Sequence, residues 1–95
     1  MIPKPPASIE DMTTLYYADV RQHATWLKKY MQAVPDLFVI AYWPQDKSYC
    51  LLGTDIHFSN WEQYTNYSFR DLQPALELPD TIFRMPDDFQ WIKVG

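Results

Sequence analysis

Two apolar segments separated by the four-residue turn Pro44-Gln45-Asp46-Lys47 constrain this chain more than any other feature. Leu37-Phe38-Val39-Ile40-Ala41-Tyr42-Trp43 precedes the turn, and Ser48 to Phe58 follows it. β-Branched and aromatic side chains suit a pleated surface, and the turn residues interrupt it, so the segment reads as a β-hairpin. A two- or four-residue loop sets Trp43 opposite Ser48 and Leu37 opposite Thr54. Alternation then gives one face Leu37, Val39, Ala41 and Trp43 with Cys50, Leu52 and Thr54. The other face carries Phe38, Ile40 and Tyr42 with Tyr49 and Leu51. Both faces are apolar, and a ribbon of this kind must be covered twice.

The flanking sequence supplies the expected covers. Residues 1–7 hold three prolines and read as an extended Pro-rich arm, with a single α+β domain over 8–95. Ser8-Ile9-Glu10-Asp11 matches a helix-capping signature. Ile9, Met12, Tyr16, Val20, Ala24, Leu27, Met31 and Val34 then recur at steps of three and four, which predicts a long N-terminal helix ended by Pro35. Its length is compatible with a break near Thr13-Thr14. Ser59-Asn60-Trp61-Glu62 reads as a second capping box, opening a short helix with Trp61, Tyr64, Phe69 and Leu72 that Gln73-Pro74 ends. Residues 75–80 read as a connection, and Thr81 to Met85 and Phe89 to Val94 as two further strands. The expected fold is therefore α+β. A long N-terminal helix packs on a mostly antiparallel sheet of about four strands, with the short helix between two hairpins.

Charge narrows the function classes. Twelve Asp and Glu against eight Lys and Arg give a net charge of −4 over 95 residues. That balance disfavours nucleic-acid binding, which rests on clustered cations, and Lys28-Lys29 is the densest basic pair. An acidic imitation of DNA would need rows of carboxylates, whereas the closest grouping is Glu77, Asp80, Asp87 and Asp88. The start of the chain has no apolar run of the signal-peptide kind. Leu37 to Trp43 is far shorter than the ~20 residues of a membrane-spanning helix. A cytoplasmic protein without membrane association is the expectation.

Few residues invite chemistry. Cys50 is the single cysteine, so an intrachain disulfide and a multi-cysteine metal site are excluded. It shares its strand side with Leu52 and Thr54, which points to a small core residue rather than an activated thiolate. Asp55 and His57 lie two apart on one strand face and form the best acid–base or metal candidate. The alternative is a polar strand end turned to solvent. His23 sits at the edge of the helical apolar stripe, and nothing in its spacing from His57 suggests zinc. Gly53 and Gly95 are the only glycines, so no phosphate loop exists. No nucleophile elbow or pair of catalytic carboxylates is present either. An enzyme, a metal site and a cofactor are not expected.

Aromatic excess is the informative feature: four Trp, seven Tyr and five Phe. Tyr and Trp favour places that are dry at one end and reach water or a partner at the other. The resulting expectation is a small acidic protein-binding module acting by contact, such as an inhibitor, immunity protein, adaptor or assembly factor. Its interface candidates are Phe38, Ile40, Tyr42, Tyr49, Leu51, Trp61 and Tyr64, facing a protein partner. Two alternatives stay open. One is a small-molecule-binding domain or minor enzyme with a pocket near Asp55 and His57. The other is a structural homodimer formed across the aromatic sheet face.

Overall fold

The computed structural model describes residues 2–64 and 68–95. Strands β1 (Ser8–Ile9) and β2 (Met12–Asp19) are followed by a 3₁₀ turn over Arg21–His23 and a one-turn helix α1 (Ala24–Leu27). Then come β3 (Leu37–Trp43), β4 (Ser48–Thr54), β5 (Trp61–Gln63), helix α2 (Leu72–Phe83) and β6 (Ile92–Lys93). Among the described residues the sheet has six strands in the order β1-β2-β3-β4-β5, with β6 also on β2, and every named pairing is antiparallel.

The hairpin register agrees with the sequence: Trp43 pairs with Ser48 and Leu37 with Thr54. The expected long N-terminal helix is not there. Residues 12–19 are the strand β2, and only the short helical stretch Arg21 to Leu27 remains of it. A step of four is also a multiple of two, so Met12, Tyr16 and Val20 fit a strand as well as a helix. Thr13-Thr14-Leu15-Tyr16-Tyr17 is moreover a strand-favouring run. Ser8 does not cap a helix; it pairs with Thr13, and Glu10 takes a left-handed φ of 52° to turn β1 into β2.

The second half differs for a related reason. The short helix expected from Ser59 is instead β5, with residues 65–67 of that stretch outside the described residues. The real helix, α2, covers the segment expected to be a connection and a strand over Thr81 to Met85. Pro74 lies in its first turn, where a missing N–H costs nothing because that group has no intrahelical partner. Pro79 lies inside the helix and is buried. Arg84, at φ 49°, supplies the left-handed residue that ends it. Its C-terminal Phe83 carbonyl accepts from Trp26 Nε1 at 2.8 Å, and the Leu76 carbonyl accepts from Trp91 Nε1 at 2.8 Å. The last strand is only Ile92–Lys93, and it pairs with β2 rather than closing a second hairpin.

These elements cover the hairpin on both sides. Beneath α2, Phe38, Ile40 and Leu51 are 0% exposed and pack with Leu27, Ala75, Leu78 and Phe83. On the opposite face Val39, Ala41, Cys50 and Leu52 form a second cluster with Tyr17 and Val94. Here the cover comes from the curl of the sheet, whose edges bring Trp61 and Ile92 onto the same face. A bulge makes this possible. Thr14 opposes Ala41 and Tyr16 opposes Ile40, so Leu15 is an extra residue in β2. It reverses the alternation: Met12 and Tyr17, an odd number of positions apart, join one cluster, while Tyr16 and Val20 join the other.

The Pro-rich start is held to the sheet. Pro5 is buried, Thr14 N donates to the Ala7 carbonyl at 3.0 Å, and Thr14 Oγ1 donates to the Pro6 carbonyl.

Candidate functional site: a cleft between the hairpin tips

The structure disperses the residues singled out from sequence. Phe38, Ile40 and Leu51 are sealed beneath α2 and offer no surface. Tyr42 and Tyr49 are half-buried and touch each other, with ring centroids 4.9 Å apart. Trp61 lies on the opposite face of the sheet, its Nε1 donating to the Phe58 carbonyl at 3.0 Å. Tyr64 packs edge-on against Phe38, at 6.0 Å between centroids. No single exposed aromatic face joins these residues.

Asp55 and His57 do not act together. The Asp55 carboxylate accepts from Ser59 Oγ at 2.7 Å, Ser59 N at 2.8 Å and Asn60 N at 3.1 Å. The Ser59 hydroxyl and the Asn60 amide hold its carboxyl well below the usual carboxylate range. Asp55 therefore builds the turn between β4 and β5, while His57 is exposed. The neighbouring hollow, about 180 Å³, is bounded by Asp36, whose Oδ2 accepts from Ile56 N at 3.0 Å. His23 is buried, with Nε2 3.7 Å from Asp88 Oδ1.

A different set of residues converges at one end of the sheet. Because β2 runs antiparallel to β3, its start lies beside the end of β3, and Thr13 pairs with Tyr42. The β1–β2 turn and the β3–β4 turn therefore project from the same end. Glu10 and Asp11 come from the first turn and Asp46 from the second, and all three line a cleft of about 420 Å³. Met12, Ser48 and Cys50 line it as well, and Trp43 stands at its side, 40% exposed. Cys50 Sγ donates to Met12 Sδ at 3.9 Å, and burial pushes the thiol pKa up. A protonated thiol held by a thioether is a poor nucleophile.

Ser48 is 5% exposed, and among the described residues its buried Oγ has no hydrogen-bond partner. A hydroxyl carries one donor and two acceptor sites, and leaving all of them unused in a buried position is uncommon. Among the described residues no three His, Cys, Asp or Glu side chains approach closely enough to hold a metal ion. The carboxylates of the cleft are thus spread around an opening rather than focused on a point. A broader groove of about 840 Å³ lies between β2 and the start of α2, with Lys4 and Lys93 at its edge. Its buried polar side chain, Thr14, is already bonded to the Pro6 carbonyl.

The chain was compared with protein-family models, curated proteins and solved structures. None matches.

Sequence reasoning missed the cleft because its carboxylates looked like local features. Glu10 and Asp11 read as part of a helix-capping signature, and Asp46 as part of the hairpin turn. The available signal was that Glu10 and Asp11 stand just before one strand-favouring run and Asp46 just after the next. Once both runs are strands, antiparallel pairing brings their turns together.

Among the described residues no helix is long and apolar enough to cross a membrane.

Proposed function

We propose that this chain is an acidic binding module that acts by contact, presenting the hairpin-tip cleft to a basic protein partner. The observation that carries this reading is the placement of exposed Trp43 beside Glu10, Asp11 and Asp46. Trp is enriched at the energetic centres of interfaces, and carboxylates around it steer a cationic partner and reject an anionic one. The overall charge of −4 acts in the same direction. It also opposes a second copy of the chain at this end, since both copies would bring the same carboxylates together. The aromatic side chains beneath α2 serve the core, so the binding surface moves from the sheet face to its end.

The test is a heteronuclear NMR titration with poly-lysine and, in parallel, poly-glutamate. The expected result is that poly-lysine shifts the Trp43 indole and the amides of Glu10, Asp11 and Asp46. Those shifts should shrink on raising the salt from low to ~0.15 M, where the screening length falls to about 8 Å. Equal responses to both polymers, or poly-lysine shifts spread evenly over the molecule, would refute the reading.

A further inference from the structure

We infer that the cleft is built for the guanidinium of an arginine side chain, which enters it from the partner and gives the Ser48 hydroxyl its missing hydrogen bond. The inference rests on the reading of the cleft as a cation-binding contact site and specifies which cation it takes.

The first reason is the shape of the charge. Glu10, Asp11 and Asp46 line one opening, and among the described residues no three acidic, His or Cys side chains are grouped to hold a metal ion. A guanidinium spreads one positive charge over a planar fork with five N–H donors, so it can reach acceptors that stand apart. A lysine ammonium is a compact point charge with three donors.

The second reason is what lies below the carboxylates. The walls include the Met12 thioether and the Cys50 thiol, both polarisable and neither a strong acceptor. A strongly hydrated ammonium loses much of its water shell on entering such a space, whereas a guanidinium is more weakly hydrated. The exposed indole of Trp43 offers a flat face on which that plane stacks. At about 420 Å³ the cleft has room for a long side chain.

The third reason is Ser48. Among the described residues its Oγ is a buried acceptor with no partner, on the strand side that faces the cleft with Cys50. A serine side chain moves between staggered positions at small cost, so a donor entering the cleft can be met by this hydroxyl. A carboxylate-lined opening selects for positive charge in general. The unsatisfied acceptor within selects for a cation that still has N–H groups to give after the carboxylates have taken theirs.

The experiment titrates the whole chain with three blocked pentapeptides, Gly-Gly-X-Gly-Gly, where X is arginine, lysine or citrulline. Citrulline keeps the shape of arginine and removes its charge. The arginine peptide should bind saturably, shift the Trp43 indole and the Ser48 and Cys50 amides, and bind about tenfold or more tightly than citrulline, with lysine between them. Ser48→Ala should weaken arginine binding about fivefold while leaving the lysine peptide unchanged. Its unfolding midpoint should not fall, because the lost hydroxyl had no partner among the described residues. Asp46→Asn, on an exposed turn, should weaken both cationic peptides. Equal affinity for arginine and lysine, or full arginine affinity in Ser48→Ala, would overturn the arginine inference while the contact reading survives. If neither cationic peptide nor poly-lysine moves the hairpin-tip resonances, both fall.

Discussion

An ideal Cβ on Gly53 would lie 2.0 Å from Cε2 of Tyr64, so the tyrosine ring occupies the space that any other residue at position 53 would need. Gly53 pairs with Phe38, and the missing side chain lets Tyr64 reach over β4 to pack edge-on against that ring. Gly53→Ala is expected to displace Tyr64 and lower stability by about 1–3 kcal/mol. In a Tyr64→Ala background the same change should cost less than ~0.5 kcal/mol, because the clash is gone. Urea unfolding of the four proteins measures the coupling directly.

The same ring makes the fold sensitive to alkali. Burial, then the charge and hydrogen bond of Glu62, push the Tyr64 phenol up to about 12 from its ordinary value of 10.0. Between those values the unfolded chain loses this proton before the folded one does, so the folded state binds more protons and stability falls as pH rises. Below pH 10 the contribution is fully present. Unfolding midpoints followed from neutral pH to pH 12 should decline over that window, and less steeply in Tyr64→Phe.

Asp55 gives the opposite sign. Its folded carboxyl sits below the ordinary value of 3.8, so its contribution is present above that pH and is lost as pH falls. Asp55→Ala should lower the melting temperature at neutral pH and flatten the acid-induced loss. His57→Ala should leave the melting temperature where it was, since His57 is exposed and apart from the Ser59 and Asn60 bonds. A parallel effect of the two substitutions would contradict the separate roles described above.

Phe38 and Trp43 should divide stability from binding. Phe38 is completely buried between Phe83 and Tyr64, so Phe38→Ala is expected to cost about 3–5 kcal/mol of folding free energy. Trp43 is 40% exposed and belongs to neither core cluster, so Trp43→Ala should cost less, about 1–2 kcal/mol. The poly-lysine response, by contrast, should be lost in Trp43→Ala. Chemical denaturation and the NMR titration together check both halves.

Cys50 should be slow to react. Burial raises its thiol pKa. A colourimetric thiol reagent should modify the folded protein far more slowly than the protein in denaturant. Met12→Ala, which opens the cleft above the sulfur, should accelerate the reaction.

How much of this was legible in advance depended on the distance over which each choice is made. The pairing of Trp43 with Ser48 could be read directly, because a short turn between two strand-favouring runs leaves few registers. The demand for two covers was also visible in the alternation of Phe38 and Ile40 against Val39 and Ala41. The identity of the covers was not. Met12, Tyr16 and Val20 satisfy helical and strand spacing alike, and the choice falls to β3, whose free edge bonds the backbone of Tyr16 to Asp19. Pro74 and Pro79 read as breaks, yet the first sits where no N–H is needed and the second is buried within the helix.

The cleft illustrates the limit most clearly. That Glu10, Asp11 and Asp46 lie in turns follows from local sequence once the strands are known, because turns lie where apolar alternation stops. That they surround one opening follows from antiparallel pairing of β2 with β3, and that Met12 faces Cys50 follows from the extra residue Leu15 in β2. Short-range sterics and turn chemistry are written residue by residue. Which strand meets which, and which side chains then share a surface, is decided by the free energy of burying the whole sheet at once.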